Sequence, residues 1–256
     1  MRSLPVEVTE DEYTRRFAGI GRVYGAARLT DFERAHVMVI GIGGVGSWAA
    51  EALARTAIGE LTLVDMDVLV ASNINRQLPA LTETLGLEKT QAMAARIRGI
   101  NPRIKLNIVD DFLSVDNVAT LLATSPDVVL DCIDDVKAKI ALILHCRQHK
   151  IPLVVSGSAG GKIDPLSIRV GDLAQTEYDP MLAKIRRTLR HDYNMCKKPK
   201  DKFRVTCVYS TEQPYQPDTC TTGGLQCGGY GSATVMTASM GLVTVAEVLK
   251  KIKSFE

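Results

Sequence analysis

HVMVIGIGGVGSWAAEALARTAIGELTLVDM, residues 36–66, decides the fold. HVMVIG is a short apolar run closed by glycine, the pattern of a strand buried on both faces. SWAAEALARTAI, after the glycines, is alanine-rich with apolar residues at helical spacing, and Gly59 falls where a helix cap is expected. LTLVD is the next β-rich run. Strand, glycine turn, helix and strand within about 30 residues make a βαβ unit.

Inside that unit Gly41, Gly43 and Gly46 satisfy G-x-G-x-x-G. The first permits the tight turn, the second lets backbone approach a phosphate, and the third lets helix pack on strand. The helix N-terminus favours anionic oxygens. Asp65 closes the second strand, where an acid hydrogen-bonds a ribose hydroxyl. The pattern predicts a nucleotide and accommodates NAD as well as ATP, so an NAD-dependent oxidoreductase stays open. Three residues tilt the choice to ATP: Arg76 in Ser72-Asn73-Ile74-Asn75-Arg76-Gln77, Lys89 opening the next helix, and Asp134 just past the DVVLDC run. Two cations suit a triphosphate and a carboxylate suits Mg²⁺, whereas a nicotinamide cofactor presents only a pyrophosphate and needs no metal.

Strand and helix patterns keep alternating. Glu88–Ile100 reads as helix, Ile104–Val109 as strand, Val115–Ala123 as helix, DVVLDCID as strand, Val136–Lys150 as helix and IPLVVSG as strand. This predicts an α/β fold: a Rossmann-like, doubly wound, mostly parallel sheet with helices on both faces and a C-terminal extension. The expected division is an N-terminal helical segment (1–31), an ATP-binding adenylation core (32–165) and an extension (166–256). The N-terminal piece, Thr9–Arg28, reads as one helix opened by a Thr9-x-x-Glu12 capping box. The extension reads as strands over 162–173 and 203–210, a basic insertion at 184–204, a loop over 211–231 and a helix from about Ser232 to Ile252. That last helix carries an uncharged run too short for the roughly 20 residues of a membrane span. It reads as a buried or dimer-interface helix.

The composition is ordinary for a soluble globular chain: 256 residues, 46% hydrophobic and 23% charged. MRSLPVEVTEDEY has no signal-peptide pattern, so the six cysteines read as reduced thiols of a cytoplasmic protein. None of them forms C-x-x-C, which argues against a structural zinc site. The net charge of +2 hides an asymmetry. Lys184, Arg186, Arg187, Arg190, Lys197, Lys198, Lys200, Lys202 and Arg204 face only Asp192 and Asp201, so this segment is +7. Such density predicts a nucleic-acid phosphate contact, with Tyr193 and Phe203 available to stack on bases. The alternative is a solvated face.

GIGGVGS, LTLVDMD, SNINRQ, GLEKTQ and LDCIDD, in this order, resemble the adenylation domain of the ubiquitin-activating-enzyme-like superfamily. By that resemblance Gly44, Asp65, Ser72, Asn73, Arg76, Lys89, Asp134 and Asp135 are nucleotide-site candidates. Within the superfamily, RRFAGIGRVYG, INPRIKLNIVDDF, GGKIDP, VTCVYSTEQP and CGGYGSATVMTASMGLV are similar to the tRNA threonylcarbamoyladenosine dehydratase branch. The resemblance implies ATP-dependent cyclisation of threonylcarbamoyladenosine beside the tRNA anticodon, a homodimer, and sulfur-relay partners of the cysteine-desulfurase type. It keeps as alternatives an activator of a ubiquitin-like sulfur carrier and an ATP-binding interaction module without turnover. Sulfur-carrier activators have R-Y-x-R-Q near the N-terminus, whose second arginine reaches the partner subunit's ATP. Gly19 stands there in this chain, leaving Arg22 or Arg16 to substitute.

Chemistry then predicts adenylation of the threonyl carboxylate and intramolecular ring closure with AMP as leaving group. Arg76, Lys89 and Mg²⁺ would stabilise the phosphate charge. Cys227, in a glycine-rich loop before the last helix, is the candidate for a thioester intermediate; the alternatives are direct closure and a loop cysteine of no catalytic importance. Cys132, within an apolar strand, reads as packing.

Overall fold

A computed structural model of the chain describes residues 8–196, 198, 201–215 and 230–255. The βαβ unit stands as β1 (His36–Ile40), α3 (Gly44–Arg55) and β2 (Glu60–Val64). It follows α1 (Glu10–Tyr24) and α2 (Ala26–Arg34). Next come α4 (Lys89–Ile100), β3 (Lys105–Val109), α5 (Val118–Leu121), β4 (Val128–Asp131), α6 (Val136–His149) and β5 (Leu153–Ser156). β6 (Ile168–Asp172), α7 (Pro180–His191), β7 (Thr206–Ser210) and α8 (Thr234–Lys251) complete the described chain.

The strands form one seven-stranded sheet in the order β3-β2-β1-β4-β5-β7-β6. All neighbours are parallel except β6 and β7. Alternation along each strand feeds two cores. Val37 and Val39 join α3, α4 and α8 on one face; Met38 and Ile40 join α6 and α7 on the other. The order reverses at β1, which lies between β2 and β4, and the loops leaving β1 and β4 diverge there. That crevice outside the strands' carboxyl ends is where open α/β sheets bind ligands. α8 packs on α3 with its backbone close: a Cβ at Gly241 would meet the Val45 carbonyl oxygen at 2.7 Å. No described helix is long and apolar enough to cross a membrane.

Several elements differ from expectation. The N-terminal helix is two helices, because Gly25 at φ +94° breaks it. α2 runs past position 31 and buries Phe32 completely in the first core. Thr9 caps the Glu12 amide, but Glu12 turns to Arg16 rather than closing the box. Only Val118–Leu121 of the expected 115–123 helix is α-helical, followed by a short 3₁₀ turn. Gly59 caps nothing. A Cβ there would overlap the Glu33 carbonyl oxygen, so the residue serves a close backbone approach. The first half of the basic insertion is helix α7, with Asp179 as its cap, Pro180 in its first turn and Leu182, Ile185 and Leu189 buried at helical spacing.

The end of β4 is fixed by a wholly buried ion pair. Lys139 Nζ lies 2.9 Å from Asp131 Oδ1, both side chains being 0% exposed, and donates to the Ser156 carbonyl at 3.0 Å. Asp131 Oδ2 has no partner among the described residues. Burial raises the Asp131 pKa, and the Lys139 ammonium opposes that rise. Lys139→Met leaves the carboxylate uncompensated and is expected to cost about 3–5 kcal/mol at neutral pH. A folded-state pKa raised above the unfolded value favours the protonated native state. The cost therefore shrinks as pH falls and grows as pH rises through the folded pKa. Urea unfolding at pH 5 and pH 7 checks both sign and size.

Candidate active site

A cavity of about 360 Å³ opens at the carboxyl ends of β1, β2 and β4. Gly41, Gly43, Gly44, Asp65, Asn73, Arg76, Lys89 and Asp134 all line it, although they come from five separate stretches of chain. Three glycines explain the rim. Gly41 takes φ +88° against the Cys132 backbone, and a Cβ on Gly46 would overlap the Gly41 carbonyl oxygen. At Gly43 a Cβ would meet only Gln77 Nε2 at 4.0 Å, so open space lies over that turn for an approaching anion. α3 begins at Gly44 and brings its N-terminal amides to the same edge.

Asp65 is 6% exposed and holds the turn together. Its Oδ2 accepts from the Ile42 amide at 2.7 Å and its Oδ1 from the Asp67 amide at 2.9 Å. Carboxylate oxygens have spare acceptor capacity, so a ribose hydroxyl is still accommodated. Lys89 is also buried; its ammonium contacts Asp67 and lies 3.8 Å from Asp65 Oδ1. Asn73 accepts from the Val70 amide at 3.1 Å and shapes the turn that precedes Arg76. Arg76 Nη1 donates to the Ser72 carbonyl at 2.6 Å and to Asn75 Oδ1 at 3.0 Å. Its backbone carbonyl is held by Trp48 Nε1 from α3 and Thr237 Oγ1 from α8. Asp134 is exposed on the cavity wall and has no hydrogen-bond partner among the described residues.

Gly46, Ser72 and Asp135 do not line the cavity. Gly46 packs behind it and Ser72 orients Arg76 through its carbonyl. Asp135 is reassigned: its Oδ1 caps α6 at the Ala138 amide, 2.7 Å away. Asp67 and Gln77 are among the lining residues that the sequence reading did not single out. Asp67 stands two residues after Asp65, and Gln77 ends the SNINRQ stretch. Gln77 is 6% exposed with an unpartnered Oε1 among the described residues. A buried polar side chain beside a nucleotide loop is the signal for it.

Cys132 borders the cavity, and burial pushes its thiol up to about 12. It is thus a protonated packing residue at neutral pH. Cys227 lies outside the described residues, as do Lys197 and Lys200. Arg16, though exposed, is committed to the end of α4, donating to the Gly99 and Ile100 carbonyls, whereas the exposed Arg22 makes no side-chain hydrogen bond among the described residues.

The basic segment divides. Lys184 and Arg187 are exposed on α7, and Lys198, Lys202 and Arg204 are exposed beyond it. Arg186 is drawn inward, where its guanidinium donates to the Thr176 hydroxyl at 2.6 Å and carbonyl at 2.9 Å. Arg190 sits over the Phe203 ring, 5.5 Å from its centroid. Phe203 is 0% exposed in the second core, which corrects its expected role as a base-stacking residue. Tyr193 is 49% exposed and keeps that possibility.

A profile of the ThiF family matches residues 13–256. The tRNA threonylcarbamoyladenosine dehydratase of Escherichia coli K12 is 48% identical over 257 residues, 96% of this chain and 96% of that protein. The same enzyme of Haemophilus influenzae is 47% identical over 247 residues, 94% of this chain and 95% of that one. The crystal structure of the E. coli enzyme in complex with ATP superposes with a TM-score of 0.88 at 48% identity, covering 96% of this chain and 97% of that chain. The molybdopterin-synthase adenylyltransferase of E. coli K12 is 37% identical over 123 residues, only 48% of this chain and 49% of that protein.

Proposed function

Because the chain belongs to the ThiF family, among its tRNA threonylcarbamoyladenosine dehydratases, we propose that it cyclises threonylcarbamoyladenosine beside the tRNA anticodon at the expense of ATP. The observation that carries this is identity near one half along the full length of both chains, including an E. coli enzyme crystallised with ATP. The likeness to a sulfur-carrier activator stops at half of each chain. An oxidoreductase leaves Arg76, Lys89 and Asp134 around one cavity without a purpose.

The threonyl carboxylate is a poor electrophile. One of its oxygens attacks the α-phosphorus of ATP; the bridge to the β-phosphate breaks and pyrophosphate leaves with its electron pair. A nitrogen or oxygen of the same modification then attacks the acyl carbon, loses its proton to solvent and expels AMP, which carries off the carboxylate oxygen. The nucleoside has lost one water. Proximity supplies much of the rate, since closure is intramolecular.

The chain's own contribution is electrostatic. The α3 amides and Arg76 meet phosphate oxygens, and Lys89 adds a cation held in place by Asp65 and Asp67. Asp134, an exposed hard-oxygen donor on the wall, would hold Mg²⁺ together with the phosphates, the sparse protein ligation this ion accepts. When bound, the ion supplies neutralisation of phosphate charge. Exchange of labelled pyrophosphate into ATP tests the first half-reaction. Exchange that depends on tRNA carrying the modification is expected; exchange driven only by a carrier protein ending in Gly-Gly would overturn the reading.

Basic residues on and beyond α7 offer a surface for the tRNA backbone, with Lys184 and Arg187 fully available on the helix. Lys184→Ala/Arg187→Ala is expected to weaken tRNA binding and to reduce the slope of log affinity against log salt by about 2, one per lost phosphate contact. Filter binding at several salt concentrations measures it. We also take the enzyme as a homodimer, supported by the half-exposed Val235 and Leu242 on α8. Light scattering at twice the 27.9 kDa chain mass is the expected result.

A further inference from the structure

The nucleotide cavity continues into a second one of about 400 Å³. The two share Gly44, Arg76, Cys132, Ile133 and Asp134. The far wall of the second cavity is Ser158 and Gly160 after β5, Pro180 and Met181 in the first turn of α7, and Tyr230. One carboxylate braces two of these pieces: Asp179 accepts from the Leu182 amide at 3.0 Å and from the Ser158 amide at 2.7 Å. Tyr230 is 44% exposed and lies tight on Gly160, where a Cβ would come within 2.9 Å of the tyrosine Cβ. The Gly161 amide donates to the Gly231 carbonyl at 2.7 Å and fixes the chain beside that ring.

Adenylation requires an acyl carboxylate to reach the α-phosphate while the nucleotide keeps its own cavity. The wall common to both cavities is where that meeting is possible. The second cavity has a cation, Arg76, at this wall and a ring with apolar surface, Tyr230, Met181 and Pro180, opposite it. Such polarity suits a ligand with a carboxylate at one end and a planar base at the other.

Resting on the function proposed above, we propose that the second cavity is the subsite for the modified nucleoside, its purine against Tyr230 and Met181 and its threonyl carboxylate at Arg76. Base specificity then belongs to Tyr230 and Met181, away from the nucleotide machinery and from the basic face of α7.

The test is steady-state cyclisation of modified tRNA by the full chain, with ATP affinity measured separately. Tyr230→Ala removes a stacking surface and is expected to raise KM for tRNA about tenfold. Met181→Trp fills the cavity and is expected to lower kcat/KM about a hundredfold. Both keep the wild-type ATP dissociation constant. Should Met181→Trp fail to fold, the exposed Tyr230 position decides alone. Wild-type KM and kcat in the folded variants would overturn the subsite and leave the functional reading intact. A wild-type enzyme that leaves the nucleoside unchanged would instead overturn the functional reading.

Discussion

Asp134→Ala is expected to eliminate measurable AMP formation, with kcat down by at least about 100- to 1000-fold, the usual cost of removing one group that stabilises developing charge. The fold should not notice. Asp134 is exposed and has no hydrogen bond to lose among the described residues, so thermal unfolding should match the wild type. Its neighbour makes the control. Asp135→Ala loses the α6 cap and about 1 kcal/mol of stability, yet should retain turnover. AMP release with modified tRNA and ATP, measured beside the unfolding midpoint, separates the two carboxylates. Near-normal turnover by Asp134→Ala would remove Asp134 from the metal-binding role.

Gly46→Ala is expected to destabilise the chain by on the order of 4 kcal/mol and to abolish ATP binding. The new methyl would overlap the Gly41 carbonyl oxygen, a backbone atom with no rotamer to change. Relief requires α3 to lift away from the β1 turn, which displaces the helix N-terminus from the cavity. Gly43→Ala provides the contrast. Its Cβ meets only the end of Gln77, so stability should hold while ATP affinity falls. Urea unfolding and ATP titration of both variants test the division between a packing glycine and a ligand-facing one. Equal stability losses in the two would contradict it.

The sheet and the grouping of charges and glycines at the carboxyl ends of its strands were legible because their signals are local. Each of β1, β2 and β4 is a short apolar run, and the glycine spacing sits in the strand–turn–helix context it needs. Arg76, Lys89 and Asp134 were readable as charges just beyond strand ends. What the sequence concealed depends on contacts between distant segments. Gly59 looked like a helix cap because its real neighbour, the Glu33 carbonyl, is remote in sequence. Charge density masked α7, although Asp179-Pro180 and the Leu182–Ile185–Leu189 spacing carry its start and its buried face. Phe203 and Arg186 looked available in a basic stretch, yet one fills the core and the other ties down Thr176. The division of the aspartates is also set only by the folded chain: Asp65 braces the turn, Asp67 holds Lys89, Asp134 faces the cavity and Asp135 caps a helix. The second cavity had no sequence signature at all, because α7, the turn after β5 and Tyr230 meet only in the folded chain.

Whether one enzyme dehydrates a tRNA nucleoside through an acyl-adenylate is decided by nucleoside mass and AMP counted in the same tube. Purified chain, Mg-ATP and tRNA carrying threonylcarbamoyladenosine are incubated together, with parallel tubes omitting ATP or replacing the tRNA by a carrier protein ending in Gly-Gly. A nucleoside lighter by one water and one AMP released for each nucleoside converted are expected, with neither product when ATP is omitted. AMP release with the carrier alone, or an unchanged nucleoside in the complete reaction, would contradict this expectation.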